Sequence, residues 1–403
     1  MRAYTARRTV SSPCRLPAHD PVRSEETTVP FQLMSNPRHA AWLVAAVLLA
    51  AGCSRGADAV TQEAQPSTSL QTTTSPVVTT TTVPPPAKVA PTTSSTGAPS
   101  ALVERPKQRL VISGTGDVNL DPRFVRTFPT TGYEHAWTGL GSLFTEDDLT
   151  IVNLECSASD LGTPWNKPYT FRCDPKALPS MAAAGVEVAN LANNHAMDYG
   201  FEAMLDARRN LEANGISPVG AGKDATEAYT PVLFDINGWT VAVLGGGGVH
   251  PETGSWIAGE DRPGMTDGDS AEAMTAAIRA ADELADLVIV TTHWGEQGAT
   301  TPRAFEIGLA EAFIDAGADG IFGHHQHRLN PLGWYRGRPI AWGLSNFVWQ
   351  TYPAQTAVAQ FVFEPDGTIG ACLVPVVIES PGHPVVQTAD PTPCVTDPPD
   401  GSE

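Results

Sequence analysis

Basic residues are scarce: 25 Lys and Arg stand against 44 Asp and Glu, for a formal net charge of −19 over 403 residues. The few there are crowd the start. Residues 1–55 carry seven Arg against Asp20, Glu25 and Glu26, a net of +4, which leaves −23 on residues 56–403. So acidic a body argues against nucleic acid as a partner, because phosphate neutralisation needs clustered Lys and Arg. The apolar run from Ala40 to Ala51 is too short to span a bilayer comfortably. Cysteine is sparse, six in all, and no set of four thiolates of the kind that closes a structural zinc site is present. The run Gly245–Gly248 is followed by no Lys-Ser/Thr, which argues against a phosphate-binding loop.

What is there begins with that short apolar run. Preceded by Arg38 and His39 and followed by small residues and Cys53, it has the length and flanks of a signal-peptide core. The segment "LLAAGC" resembles a bacterial lipobox, which implies lipidation at Cys53 and an extracytoplasmic protein anchored to the outer face of the cell membrane; Ala50 departs from the usual Leu. Met34 is an alternative start to Met1, and Arg7-Arg8 lacks the nearby apolar core of a twin-arginine signal. Residues 1–53 are therefore an N-terminal extension and signal segment. Residues 54–107, rich in Thr, Ser and Pro, cannot bury enough apolar surface to offset their ordering entropy and form a linker. The folded domain is expected over 108–380, with a Pro-rich flexible tail over 381–403. In an oxidising compartment Cys156, Cys173, Cys372 and Cys394 are expected to bridge. Three pairings exist, and sequence proximity favours Cys156 with Cys173 and Cys372 with Cys394.

Within the domain, short apolar runs alternate with helical patterns. "RLVISGTGDVNL", "DLTIVNLECS", "VEVANLANNHAMD", "WTVAVLGGGG", "ADLVIVTTHWGE" and "DGIFGHHQH" predict buried strands. "GFEAMLDARRNLEANG", "DSAEAMTAAIRAADELA" and "PRAFEIGLAEAFIDAG" predict helices, with Gly215 and Gly317 as C-terminal stops. This is α/β layering. Hairpins are predicted to turn at residues 336–338 and 365–367.

Chemistry-bearing residues fall at the ends of these strands: Asp117, Glu155, Asn194 with His195, His293, and His325 with His327. Strand ends are where α/β folds build sites. Singly, each has a structural alternative: a turn cap for Asp117, an ion pair for Glu155, a turn amide for Asn194, a buried core imidazole for His293. If "GHHQH" extends a strand, His325 and His327 share one face and His324 turns away. Together, three His, one Asp, one Glu and one Asn form a mixed nitrogen and oxygen set suited to two divalent Mn, Fe or Zn ions. Such a pair suits phosphoryl chemistry, and leaves His195 free as general acid.

The segments "GTGDVNL", "NLECS", "KPYTFRCDP", "NLANNHAMDYG", "HWGEQ", "DAGADGIFGHHQH" and "GLSNF" resemble the CapA family of poly-γ-glutamate capsule synthesis proteins over roughly residues 108–350. The resemblance implies a calcineurin-like metallophosphatase fold, an αββα sandwich of two mixed sheets flanked by helices. It implies Asp117 as the first-motif carboxylate, Glu155 as the bridging carboxylate, Asn194 as amide ligand, His293, His325 and His327 as further ligands, and His195 as the catalytic histidine. Two positions depart from the pattern. Asn119 stands where metallophosphatases generally carry a His, leaving one metal a ligand short, and Gly343-Leu344-Ser345-Asn346-Phe347 replaces Ser-Leu-Gly-Asn-Phe.

Around this set, Asp198 is expected either to orient His195 or to cap the helix that follows. Lys167 and Arg172 are the cations expected to meet an anionic substrate, solvated loop charge being the alternative. Asn119, Asn153 and Asn346 are further candidates for substrate contact. The expected partners are an anionic small-molecule or polymer substrate, the membrane through the lipid anchor, and envelope polymer synthesis or export machinery. Three functions remain open: a dinuclear-metal phosphoester hydrolase in capsular polymer biosynthesis, a non-catalytic anchored module that binds an anionic polymer, and a metal-dependent amide hydrolase. Intact-mass measurement before and after reduction should show no free thiol among the four downstream cysteines; four free thiols would contradict the pairing.

Overall fold

Alternate residues along the central strands face different layers, and that alternation builds the fold. The computed structural model describes residues 105–249, 254–387 and 394–396. The signal segment, Cys53 and almost all of the expected linker lie outside the described residues. In chain order the principal elements begin with strands β1 (Leu110–Val118), β2 (Leu149–Leu154) and β3 (Val188–Asn190), helix α1 (Gly200–Ala213) and strand β4 (Ser217–Val219). They continue with β5 (Val232–Ile236), β6 (Trp239–Gly247), α2 (Ala271–Asp282), β7 (Leu287–His293), α3 (Ala304–Asp315) and β8 (Gly320–His324). The remaining strands are β9 (Leu332–Tyr335), β10 (Arg338–Ala341), β11 (Asn346–Val348), β12 (Gln355–Phe363), β13 (Ile369–Ser380) and β14 (His383–Val386).

These strands make two mixed sheets. The first runs β14-β13-β12-β1-β2-β3-β4, with β11 lying parallel to the end of β1. From β1 to β4 neighbours are parallel, and from β1 to β14 they are antiparallel. The second runs β9-β10-β8-β7-β6-β5, parallel at its centre and closed by an antiparallel strand at each edge. Ile112, Ile151 and Val188 of the first sheet meet Val241, Val243, Ile289 and Phe322 of the second in one buried cluster. The intervening residues face outward: Ala242, Leu244, Val288 and Val290 pack under Met274, Ile278 and Phe313 of α2 and α3. Val152 and Leu154 pack with Met204 and Leu211 of α1. The result is the expected αββα sandwich, whose runs are apolar on both faces because each central strand is covered twice.

The helices follow from the same logic. Ala203, Met204, Ala207 and Leu211 recur at helical spacing on the buried face of α1, and Gly215 takes a left-handed φ of 77° just past its end. Ser270 caps α2 by accepting the Ala273 N–H at 3.3 Å. Glu306 reaches back from α3 to accept the Arg303 N–H at 2.6 Å. The glycine run has a packing role: a side chain at Gly245 would strike Asn190 and Gly220, and one at Gly247 would strike the Ala192 backbone. Glycine there lets the end of β6 lie against the loop that follows β3.

One expectation needs correction. The chain beyond 380 does not leave the domain at once, because the alternating segment His383–Val386 pairs antiparallel with β13. Cys394 then returns to Cys372, with Cα atoms 4.4 Å apart. The other bridge joins Cys156 to Cys173, Cα atoms 5.5 Å apart, and closes the loop that carries Lys167. Among the described residues, no helix is long and apolar enough to cross a membrane.

At the start of β2, the Glu187 carboxylate accepts the Thr150 N–H at 2.8 Å, and burial lifts its carboxyl to about 7 from the ordinary 4.5. A carboxyl raised in the folded state holds its proton better folded than unfolded, so its contribution is greatest below 4.5 and is lost as pH rises through 7. Glu187→Gln keeps the acceptor and removes the charge. It should raise Tm by about 2–4 °C at pH 8, the gain vanishing toward pH 4.5 in thermal melts; an equal offset at both pH values would contradict this origin.

Candidate metal centre

Both sheets deliver side chains to the end of the sandwich where their central parallel strands terminate. The first sheet brings the carboxylates and amides. Asp117 is the penultimate residue of β1, beside Asn346 of β11, Glu155 follows β2 directly, and Asn194 and His195 sit in the loop after β3. The second sheet brings the imidazoles: His293 ends β7, and His325 and His327 follow β8. Asp117, Glu155 and His293 are fully buried, and His195 and His325 nearly so.

These groups form two triads that share one carboxylate. Single donor atoms of Glu155, His293 and His325 lie within 4.8 Å of one another, as do those of Asp117, Glu155 and His327. His293 Nε2 is 3.8 Å from Glu155 Oε1, 2.9 Å from Asn194 Oδ1 and 3.1 Å from His325 Nδ1. His327 Nδ1 is 2.9 Å from Asp117 Oδ2. Strand alternation does not place the last two rings: the strand ends at His324, and His325 and His327 both adopt left-handed backbone, φ 90° and 50°. Such conformations cost non-glycine residues about 1–3 kcal/mol each, and here they direct the two rings into different triads. His324 does not turn away from the site as alternation suggested. Its Nε2 meets Thr291 Oγ1 at 2.9 Å and its Nδ1 lies 3.8 Å from Asp117 Oδ1.

Burial sets the protonation of the cluster. It holds His293 well below the usual imidazole value, helped by His325, His324 and His327 around it, and brings His324 and His325 down to about 4. These rings are neutral at pH 7, the form in which imidazole ligates a metal. Burial also drives the Glu155 carboxyl well above its ordinary value, and the adjacent Asp117 charge adds to this. For Asp117 burial acts the same way, but His327 and His324 outweigh it and keep the carboxyl below its ordinary value.

The donor set fits a divalent cation. Both oxygens of Glu155, together with Asn346 Oδ1, are buried without a hydrogen-bond partner among the described residues, and each such orphan costs about 1–3 kcal/mol. Neutral imidazoles and converging carboxylate oxygens are ligands for Mn, Fe or Zn.

Beside the triads, His195 Nδ1 contacts Asp198 Oδ2 at 2.6 Å, and its Nε2 points to Glu155 Oε1 at 3.8 Å. Asp198 also accepts the Phe171 N–H at 2.6 Å and pairs with Lys167 at 2.8 Å. It does not cap α1, whose N-cap is Tyr199 with no side-chain cap bond. Lys167 additionally donates to the Asn194 carbonyl at 2.5 Å.

The other expected contacts divide. Asn346 and Lys167 line a cleft of about 480 Å³ over the centre, with Asn194, His195, His325 and His327 in its floor and walls. Arg172 is not among the cleft-lining residues: its guanidinium lies 3.7 Å from the Tyr199 ring centroid and donates to the Asp160, Leu161 and Gly162 carbonyls, so its charge serves the loop. Asn153 lies beneath the site, fully buried, and its amide nitrogen donates to Asp117 Oδ1 at 2.8 Å and to His293 Nδ1 at 3.1 Å. Asn119 is likewise buried, its Oδ1 accepting the Asp121 N–H at 2.9 Å.

Sequence reasoning missed Asn190 and Asn193, which donate to Asn153 Oδ1 at 3.2 and 3.3 Å; the repeated Asn of "ANLANNH" was the available signal. It also missed Arg328, which lines the cleft immediately after His327.

Fold and centre together define an α/β sandwich protein with a shared-carboxylate, imidazole-rich centre at its strand ends. The chain belongs to the family of bacterial capsule synthesis proteins called PGA_cap, whose model matches residues 111–351. It is 33% identical to the capsule biosynthesis protein CapA of Bacillus anthracis, over 73% of this chain and 74% of that one. It is 36% identical to the PGA biosynthesis protein CapA of Bacillus subtilis, over 50% of this chain and 54% of that one. With 56% of a Mycobacterium tuberculosis relative covered, the chain spans little more than half the length of several curated relatives it matches. Among solved structures, the NAD nucleotidase of Haemophilus influenzae is similar at a TM-score of 0.44 and 16% identity, over 72% of this chain and 60% of that one.

Asn153→Ala would strip Asp117 and His293 of a shared donor and leave the Asn190 and Asn193 amides facing a void. Chemical denaturation of the metal-free protein should show a loss of about 1–3 kcal/mol; an unchanged midpoint would mean that water replaces the amide.

Proposed function

We propose that the chain is a divalent-metal-dependent hydrolase of the metallophosphatase type that cleaves a phosphoester or related anionic linkage in cell-envelope polymer synthesis. In this reading it is exported and anchored through a lipid on Cys53. The observation that carries the proposal is Glu155: one buried carboxylate, both oxygens without hydrogen-bond partners among the described residues, common to two triads. Glu155, His293 and His325, with Asn194, would hold one ion, and Asp117, Glu155 and His327 the other. A divalent pair there supplies Lewis acidity and neutralises charge on phosphoryl oxygens.

The remaining work falls to the chain. His195 Nδ1 is held by Asp198, so its Nε2 is the nitrogen turned to the site. Burial holds the proton affinity of His195 below the ordinary imidazole value, Lys167 and His327 add to this, and the Asp198 carboxylate offsets part of it; with the proton at Nε2 the ring can donate to a leaving oxygen. Lys167 fixes Asp198 from its other oxygen. The cleft above suits an anion: its lining residues include Lys167 and Arg328 and no Asp or Glu, although the chain as a whole is at −19. A locally cationic mouth on an acidic protein focuses anions where the body repels them.

Metal analysis of the purified protein should find roughly two Mn, Fe or Zn ions per chain, with metal lost in His325→Ala and His327→Ala. His195→Ala should keep the metal and lower turnover of p-nitrophenyl phosphate by about 10²–10⁴. A protein that takes up no metal on reconstitution and shows no turnover would instead be a binding module for an anionic polymer.

A further inference from the structure

Exposure rises along one wall of the cleft, from the buried ring of His325 through the half-buried Arg328 to Tyr352, which is 77% exposed. Arg328 is held in place twice. Its Nη1 donates to the His327 carbonyl at 2.9 Å, and its guanidinium sits 5.4 Å from the Tyr352 ring centroid, an arrangement that fixes the plane of the fork. The backbone beside it is equally constrained, since Leu329 bridges to Leu344 and the Asn330 N–H donates to the Gly343 carbonyl at 2.8 Å.

What Arg328 lacks is an acid. Arg123, Arg208, Arg303, Arg336 and Arg338 each pair with a carboxylate, as expected where acids outnumber bases 44 to 25. Among the described residues no carboxylate lies within ion-pair distance of Arg328. Lys167, the other cation of the cleft, is already engaged by Asp198. A pre-oriented guanidinium with free donors suits the paired oxygens of an anion.

We propose that Arg328 is a specificity-determining residue that binds a second anionic group, a carboxylate or a phosphate, which the substrate carries on the solvent side of the group engaged by the carboxylate and imidazole centre. This rests on the cleft being the substrate site, as proposed above. The substrate class is accordingly a molecule with at least two anionic groups in series, such as an oligocarboxylate or a carboxylated phosphoester. Esters with one anionic group forgo the outer contact.

The test uses full-length protein as purified, its metal content recorded, with probes that carry no cleavable ester or anhydride, so that binding is read without turnover. Isothermal titration with propane-1,2,3-tricarboxylate and, separately, with methylenediphosphonate should show binding of at least one probe, and the preferred probe identifies carboxylate or phosphate. Arg328→Gln should weaken that binding at least about tenfold. Arg328→Lys should retain part of it, because the charge stays while the paired donors go. Arg336→Gln, on the distant hairpin, should bind as the parent does. No binding of either probe by the parent, or equal binding by the parent and Arg328→Gln, would overturn the proposal; if Arg328→Gln does not fold, equal binding by Arg328→Lys does the same. Metal content and p-nitrophenyl phosphate turnover are measured independently, so a competent hydrolase whose anion binding ignores Arg328 would sink this inference alone. Arg328-dependent binding without turnover would sink the hydrolase instead.

Discussion

One amide, Asn153, joins the two halves of the centre. Its nitrogen donates to Asp117 Oδ1 on one sheet and to His293 Nδ1 on the other, so a single planar group sets the separation between carboxylates and imidazoles. Because a carboxylate only accepts, the contact with Asp117 fixes which end of the amide carries the nitrogen. With Nδ1 held from below, His293 Nε2 is the ring nitrogen turned to the centre, 2.9 Å from Asn194 Oδ1 and 3.8 Å from Glu155 Oε1. Everything above the amide inherits this geometry. Everything below maintains it: Asn190 and Asn193 satisfy its oxygen, and the Gly245–Gly247 backbone leaves room for the loop that supplies them.

The two sheets contribute different chemistry, and the sandwich brings it together. Carboxylates gathered on one sheet alone would protonate or repel, and imidazoles on the other alone would be neutral donors without a counter-charge. Packed face to face through Ile151, Val243, Ile289 and Phe322, the strand ends place buried acids against neutral rings. Such a site is suited to a cation, since the carboxylates are fully buried and the orphaned oxygens of Glu155 have no other partner among the described residues. The left-handed turns at His325 and His327 belong to the same economy: strain in the backbone is held by the packing around it. The cleft above is lined by residues that include Lys167 and Arg328 and no Asp or Glu, on a chain that is acidic as a whole.

Much of this was legible in the chain. Central strands read as continuous apolar runs because both faces are covered, and the chemical residues stood at their ends in the order in which the sheets use them. Helices α1, α2 and α3 carried their own stops and caps. The tail was harder to read: prolines around His383–Val386 suggest an unpaired segment, yet the edge of β13 offers hydrogen bonds that the isolated sequence does not reveal. "GHHQH" misled in a similar way. Period-two alternation assumes extended backbone, and it fails where φ turns positive, so His324 came to lie beside Asp117 and not away from it.

By itself the sequence determined the layering, the strand-end positions of Asp117, Glu155, Asn194, His293, His325 and His327, and the family. Local patterns of hydrophobicity and spacing carry the first two, and the resemblance of whole motifs carries the third. Only the tertiary structure decided which groups share a partner: that Glu155 belongs to both triads, that Arg172 is spent on carbonyls of its own loop, and that Arg328 faces the cleft. Those outcomes depend on distances between segments more than a hundred residues apart in places, and such distances exist only once two sheets have packed.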